Sequence, residues 1–233
     1  MICNLEVCAN SVMSAIAAQE GGAQRVELCS VLGVGGVTPS YGAIRSAREA
    51  LHIELNVLLR PREGNFVYNE VEIREVEADI RACAELGVNG VVIGALDFMG
   101  NVDRAAMERW IRIAKDAGLS VTFHRAIDVS RDVFQTLEEA IDLGCDCVLT
   151  SGGYATAPEG VDVLQEMVRV ANGRIVIMPG SGVNPENAAA IIRQTQASFI
   201  HSSARKNRPA EDGWTGWSDA SVVREIRNQL DLL

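Results

Sequence analysis

The sequence is poor in the features that usually betray a nucleic-acid or membrane protein. It has no run of like charge, and its 21 basic residues are outnumbered by 31 acidic ones, for a formal net charge of -10. Binding to nucleic acid or to an anionic bilayer draws on clustered Lys and Arg, so neither partner is expected. No stretch approaches the length of a membrane span. The start, "MICNLEVCANS", lacks the basic residues and continuous apolar run of a secretory leader, so the expected location is cytoplasmic. The six cysteines, at positions 3, 8, 29, 83, 145 and 147, show no C-x-x-C spacing, which removes a structural zinc site. They are expected as free thiols in a reducing compartment. Finally, no Pro/Gly/Ser-rich linker interrupts the chain, so residues 1–233 are read as one domain.

What is present is an alternation. Short β-rich runs, "ICNLEVC", "RVELC", "IELNVLL", "GVVIGAL", "SVTFHRA", "CVLTS", "RIVIMPG" and "SFIHSS", alternate with amphipathic stretches, several of which close on glycine. Eight βα units in 233 residues predict an α/β protein with a parallel sheet closed as a (β/α)8, or TIM, barrel, whose usual size is roughly 250 residues. A doubly wound open sheet is the weaker choice, since no G-x-G-x-x-G follows the first strand.

In such a barrel the chemistry belongs at the C-terminal strand ends. Polar residues fall there repeatedly: Glu6 and Cys8, Glu27 and Cys29, Arg60 and Arg62, Asp97, then His124, Arg125 and Asp128, then Thr150 and Ser151, and His201, Ser202 and Ser203. Side chains two apart share a face of a strand. With Leu5, Val7, Val26 and Leu28 facing the helices, Glu6, Cys8, Glu27 and Cys29 point inward, and the same parity joins Arg60 to Arg62 and His124 to Asp128. Buried ionisable groups cost several kcal/mol each unless paired, so a convergent set marks a site more often than a structural ion pair. Three converging acids are expected to raise the pKa of His124 and make it a general acid. A second feature is "MPGSGVNPEN", in which Gly180, Ser181 and Gly182 precede a helix expected to begin at Asn184 or Pro185. With Ser202 and Ser203 of "HSSARK", this loop has the composition of a phosphate-binding site.

Taken in order, "LEVC", "RVELC", "GGVTPS", "LRPREGNFVY", "GALDFMGNVD", "VTFHRAID", "VLTSGG", "PGSGV" and "HSSAR" resemble the CutC family, named for copper homeostasis. The resemblance runs from residue 5 to residue 205 and implies a cytoplasmic (β/α)8 barrel that binds copper. By the same resemblance Cys8 and Cys29 correspond to thiols proposed as Cu(I) ligands, and soft thiolates suit that ion. The chain departs from the family pattern in a short, acidic tail from about residue 206. The residues themselves leave a second reading open: an enzyme acting on a small phosphorylated or carboxylated metabolite. In it His124 is the acid/base, Glu6, Glu27 and Asp128 serve the substrate, Arg60 and Arg62 hold an anionic group, and the Gly180 to Ser203 loops bind phosphate. An interaction scaffold would explain the fold but not the polar rim. Whether copies of the chain associate as a homo-oligomer is left open.

Overall fold

A computed structural model describes residues 3–206 and 217–233, so most of the acidic tail singled out above lies outside the described residues. The chain begins β1 (Asn4–Ala9), α1 (Val12–Glu20), β2 (Arg25–Leu28), α2 (Tyr41–Ala50), β3 (Glu54–Leu58), α3 (Glu70–Glu85), β4 (Gly90–Ile93) and α4 (Arg104–Asp116). It continues β5 (Ser120–Phe123), α5 (Val133–Asp142), β6 (Cys147–Thr150), α6 (Val161–Ala171), β7 (Val176–Pro179), α7 (Ala188–Thr195), β8 (Phe199–Ser202) and α8 (Ala220–Asp231). All the strand pairs are parallel, in the spatial order β7-β6-β5-β4-β3-β2-β1-β8. The result is a nearly closed (β/α)8 barrel. β7 and β8 pack side by side at the seam, where no ladder joins them among the described residues.

Local chemistry sets the helix boundaries. Ser40 caps α2 by accepting the Ala43 N–H, and Asn69 with Glu72 forms a reciprocal capping box on α3. Behind α3 and α4 the chain turns on Gly87 and Gly118, at φ +70° and +76°, a left-handed conformation that costs glycine nothing. α7 begins later than its sequence suggests. Asn184 and Pro185 form a preceding turn, and Asn187 stands at the helix start.

The alternation along the strands divides the interior in two. Leu5, Val7, Val26, Leu28, Leu55, Val57, Val91 and Ile93 belong to the large apolar layer between sheet and helices, together with the fully buried Trp110, whose indole N–H donates to the Ile73 carbonyl. Among the described residues, two small apolar groups lie apart from that layer: Cys8, Cys29, Leu58 and Val92, and Cys147, Leu149 and Met178. The polar residues Glu6, Arg25, Glu27, Asn56 and Thr122 are all buried as well.

Candidate functional site

A cavity of about 380 Å³ opens at the C-terminal mouth of the barrel. Cys8 and Glu27 reach it from β1 and β2, Arg60 and His124 from just beyond β3 and β5, and His201 from β8. Strand register explains the meeting of the thiols. Cys8 stands opposite Glu27, and Cys29, one step past Leu28, donates its N–H to Ala9 at the end of β1. The two Sγ atoms lie 3.6 Å apart, and the Cys8 thiol also donates to Glu27 Oε1 over 3.4 Å. Ligand atoms of Cys8, Glu27 and His201 all fall within 4.8 Å of one another.

The charges are organised around Glu6. It is fully buried and accepts from Arg25 Nε and, over 2.7 Å, from His201 Nδ1. Burial alone would lift its pKa, but the Arg25 charge and the His201 hydrogen bond outweigh that and hold it down to about 2. Burial likewise opposes the charge on His201, yet the bond to Glu6 and the nearby Glu27 carboxylate raise its pKa. Glu27 itself is pushed up, first by burial. The hydrogen bond between Cys8 and Cys29, together with burial and the charge of Glu27, keeps the Cys8 thiol protonated well above the ordinary thiol range. Arg25 was not anticipated from the sequence. It sits at the first position of β2, opposite Glu6, with its guanidinium 4.3 Å over the Phe199 ring.

His124 behaves opposite to expectation. The acids expected to charge it are engaged elsewhere, Glu6 by Arg25 and His201 and Glu27 by Cys8. Burial and the neighbouring Arg60 charge therefore lower its pKa to about 3. The ring is held by the Ala126 N–H, which donates to Nδ1 over 3.1 Å, and Gly94 makes room for it, since a Cβ there would lie 2.6 Å from the ring. Asp128 does not join it. The chain after β5 is a short 3-10 turn, Arg125–Val129, so parity fails, and Asp128 instead accepts from Thr150 Oγ1, from the backbone N–H of Ser151 and Gly153, and from Arg125. Arg62 also departs: it turns outward to pair with Glu72 and lies over Tyr68 at 5.4 Å. Asp97 closes its own loop by accepting from Met99 and Asn101.

The glycine loop is placed at the mouth, but its donors are largely committed. Ser181 and Ser202 hydroxyls donate to the carbonyls of Ala155 and Val183, and the Gly180 N–H donates to Thr150 O. Ser203 Oγ accepts from Arg205. Gly180 answers a packing need instead, because a Cβ there would lie 2.5 Å from Leu149 Cδ1 and 3.3 Å from His201 Cβ. Gly182, at φ +70°, faces Thr156, which a Cβ would meet at 2.9 Å.

The fold and the mouth together define a (β/α)8 barrel protein with a buried thiol, carboxylate and imidazole cluster at the C-terminal face of its strands. Residues 3–206 match the CutC family model, and the chain belongs to the CutC family. It is 53% identical over 201 residues to a family protein CutC of Xylella fastidiosa (strain 9a5c), covering 86% of this chain and 74% of that protein. A family protein CutC of Bacteroides fragilis is 50% identical over 203 residues, covering 87% and 80% respectively. Among solved structures, a CutC from Streptococcus agalactiae, whose name assigns it to copper homeostasis, superposes with a TM-score of 0.82 at 36% identity, over 87% of this chain and 99% of that one. A thiamine phosphate pyrophosphorylase from Pyrococcus furiosus shares the fold alone, with a TM-score of 0.65 at 17% identity.

Proposed function

We propose that this chain takes up Cu(I) as cargo through the thiols of Cys8 and Cys29. The observation that carries this reading is the 3.6 Å separation of the two buried sulfurs, of which Cys8 lines the cavity. Soft thiolate pairs select Cu(I) over harder ions. His201 offers a third donor. Its Nδ1–H is already given to Glu6, which leaves Nε2 available, and a carboxylate behind a ligating imidazole is the usual way such a ring is oriented. Both thiols and His201 must shed protons to bind, and Glu27, bonded to the Cys8 thiol, is placed to accept one. The six free thiols, all buried, suit a reducing compartment, in keeping with a cytoplasmic protein. No helix among the described residues is long and apolar enough to cross a membrane.

The test is an anaerobic competition titration against a chromophoric Cu(I) chelator. One ion per chain is expected, lost in the Cys8→Ser/Cys29→Ser double variant, with affinity falling as pH falls because protons compete for the ligands. A double variant that retains the ion, or binding that ignores pH, would exclude this site.

A further inference from the structure

The geometry points to a second occupant of the same cavity: a small hydroxyl-bearing carboxylate, its carboxylate held by Arg60 and His124 and its hydroxyl by Glu27. The inference does not depend on copper.

Arg60 is the starting point. It is 5% exposed and, unlike the buried Arg25, makes no ion pair with a carboxylate among the described residues. Its Nη1 donates to the carbonyls of Val34 and Gly36, both at 3.0 Å, and its Nη2 to that of Gly64 at 2.6 Å. These neutral acceptors fix the guanidinium in place, 4.8 Å over the Phe66 ring, without cancelling its charge. A guanidinium cannot shed its proton to escape burial, so the uncompensated charge is a standing demand for an anion. Among the described residues its Nε–H has no acceptor in bonding geometry, and the nearby Tyr68 hydroxyl is likewise unpartnered.

His124 stands on the same ring, with centroids 4.9 Å apart. Because Nδ1 accepts from the Ala126 N–H, the neutral ring carries its proton on Nε2, and that N–H also lacks an acceptor. A third orphan at the cavity is of opposite type: Glu27 Oε2 has no donor. Leaving such groups unmet is costly, so native structures rarely keep three around one cavity without a ligand or ordered water to answer them. Two N–H donors beside one full positive charge are complementary to the two oxygens of a carboxylate. The single acceptor on Glu27 is complementary to a hydroxyl. Leu32, Leu58 and Leu149 on the remaining wall suit a short carbon body. A phosphate dianion fits less well, since it calls for further donors, and the hydroxyls of Ser181 and Ser202 and the Gly180 N–H already serve the protein.

The measurement is a side-chain 1H–15N NMR titration of the metal-free chain, following the His124 Nε2–H with L-lactate, propionate and inorganic phosphate as probes. Lactate should shift that resonance saturably, with propionate about tenfold weaker for want of the hydroxyl. Arg60→Met should weaken lactate by at least about tenfold. Because Arg60 also anchors two loops, His124→Phe, read by lactate-induced thermal shift, provides an independent loss. His124→Phe, which touches neither thiol, should still take up one Cu(I) per chain while losing lactate, so failure of either site is seen separately. Equal binding of propionate and lactate would overturn the role of Glu27. No saturable response to lactate, or tighter binding of phosphate, would overturn the subsite.

Discussion

Glu6→Gln is the perturbation from which the most can be worked out. The substitution keeps size and an acceptor for His201 but removes the charge that compensates Arg25, whose side chain is only 10% exposed beside a Glu6 that is fully buried. Breaking a buried pair from one side costs about 3–5 kcal/mol. The pKa points the same way: despite burial, Arg25 and His201 hold it below the ordinary carboxylate value, at about 2, so the fold favours the charged form. For a chain of this size each kcal/mol moves Tm by about 2–4 °C, so a drop of about 6–20 °C is expected. The pH dependence has a definite sign. A lowered carboxylate pKa stabilises the fold above 4.5, and that stability is lost as pH falls toward about 2. The raised His201 pKa acts in reverse: its contribution is full below 6.5 and is lost as pH rises through the folded value. Urea unfolding followed by far-UV circular dichroism across this range should show both limbs in the native chain and both flattened in Glu6→Gln. A variant within about 1 kcal/mol of the native chain, with its acid limb intact, would refute the account of Glu6 as the hub of the lumen.

Asp128→Ala should destabilise the fold by about 2–3 kcal/mol in the same assay, because it strands the buried Thr150 hydroxyl and the Ser151 and Gly153 amides. Its Cu(I) affinity should be unchanged, and a loss would show that Asp128 does more than tie the β6 loop. In an NMR titration His124 should remain neutral below pH 5 while His201 gains its proton above 6.5, following the opposite directions of their shifts. A His124 that titrates near its ordinary value would mean that the ring is far better solvated than its burial implies.

The period-two alternation of β-strands carried the inward assignment of Glu6, Cys8 and Glu27, because those residues lie inside or directly beside strands in register. The same rule reaches Arg25, two residues before Glu27, but a cation at a strand's entry reads as a solvated end until its partner is known to be Glu6. Parity failed where the backbone stopped being a strand. β3 ends at Leu58, so Arg60 still faces the lumen while Arg62 has turned to Glu72. The 3-10 turn after Phe123 sends Asp128 to the β6 loop. The pKa of His124 was beyond sequence reasoning for a different reason. Its direction depends on which acids are already engaged, a property of the whole network rather than of any neighbour along the chain.

The seam between β7 and β8 bears on how anything enters. Every other pair of adjacent strands is joined by a backbone ladder, whereas among the described residues none joins β7 to β8, which lie side by side. On one lip Gly180 leaves room for Leu149 and for the imidazole-bearing residue of the other lip, His201. The line along which the wall is least bound therefore runs beside the residue that links the Glu6 network to the thiols. Local opening of the wall is therefore expected first along this line, with exchange of the β7 and β8 amides as its readout.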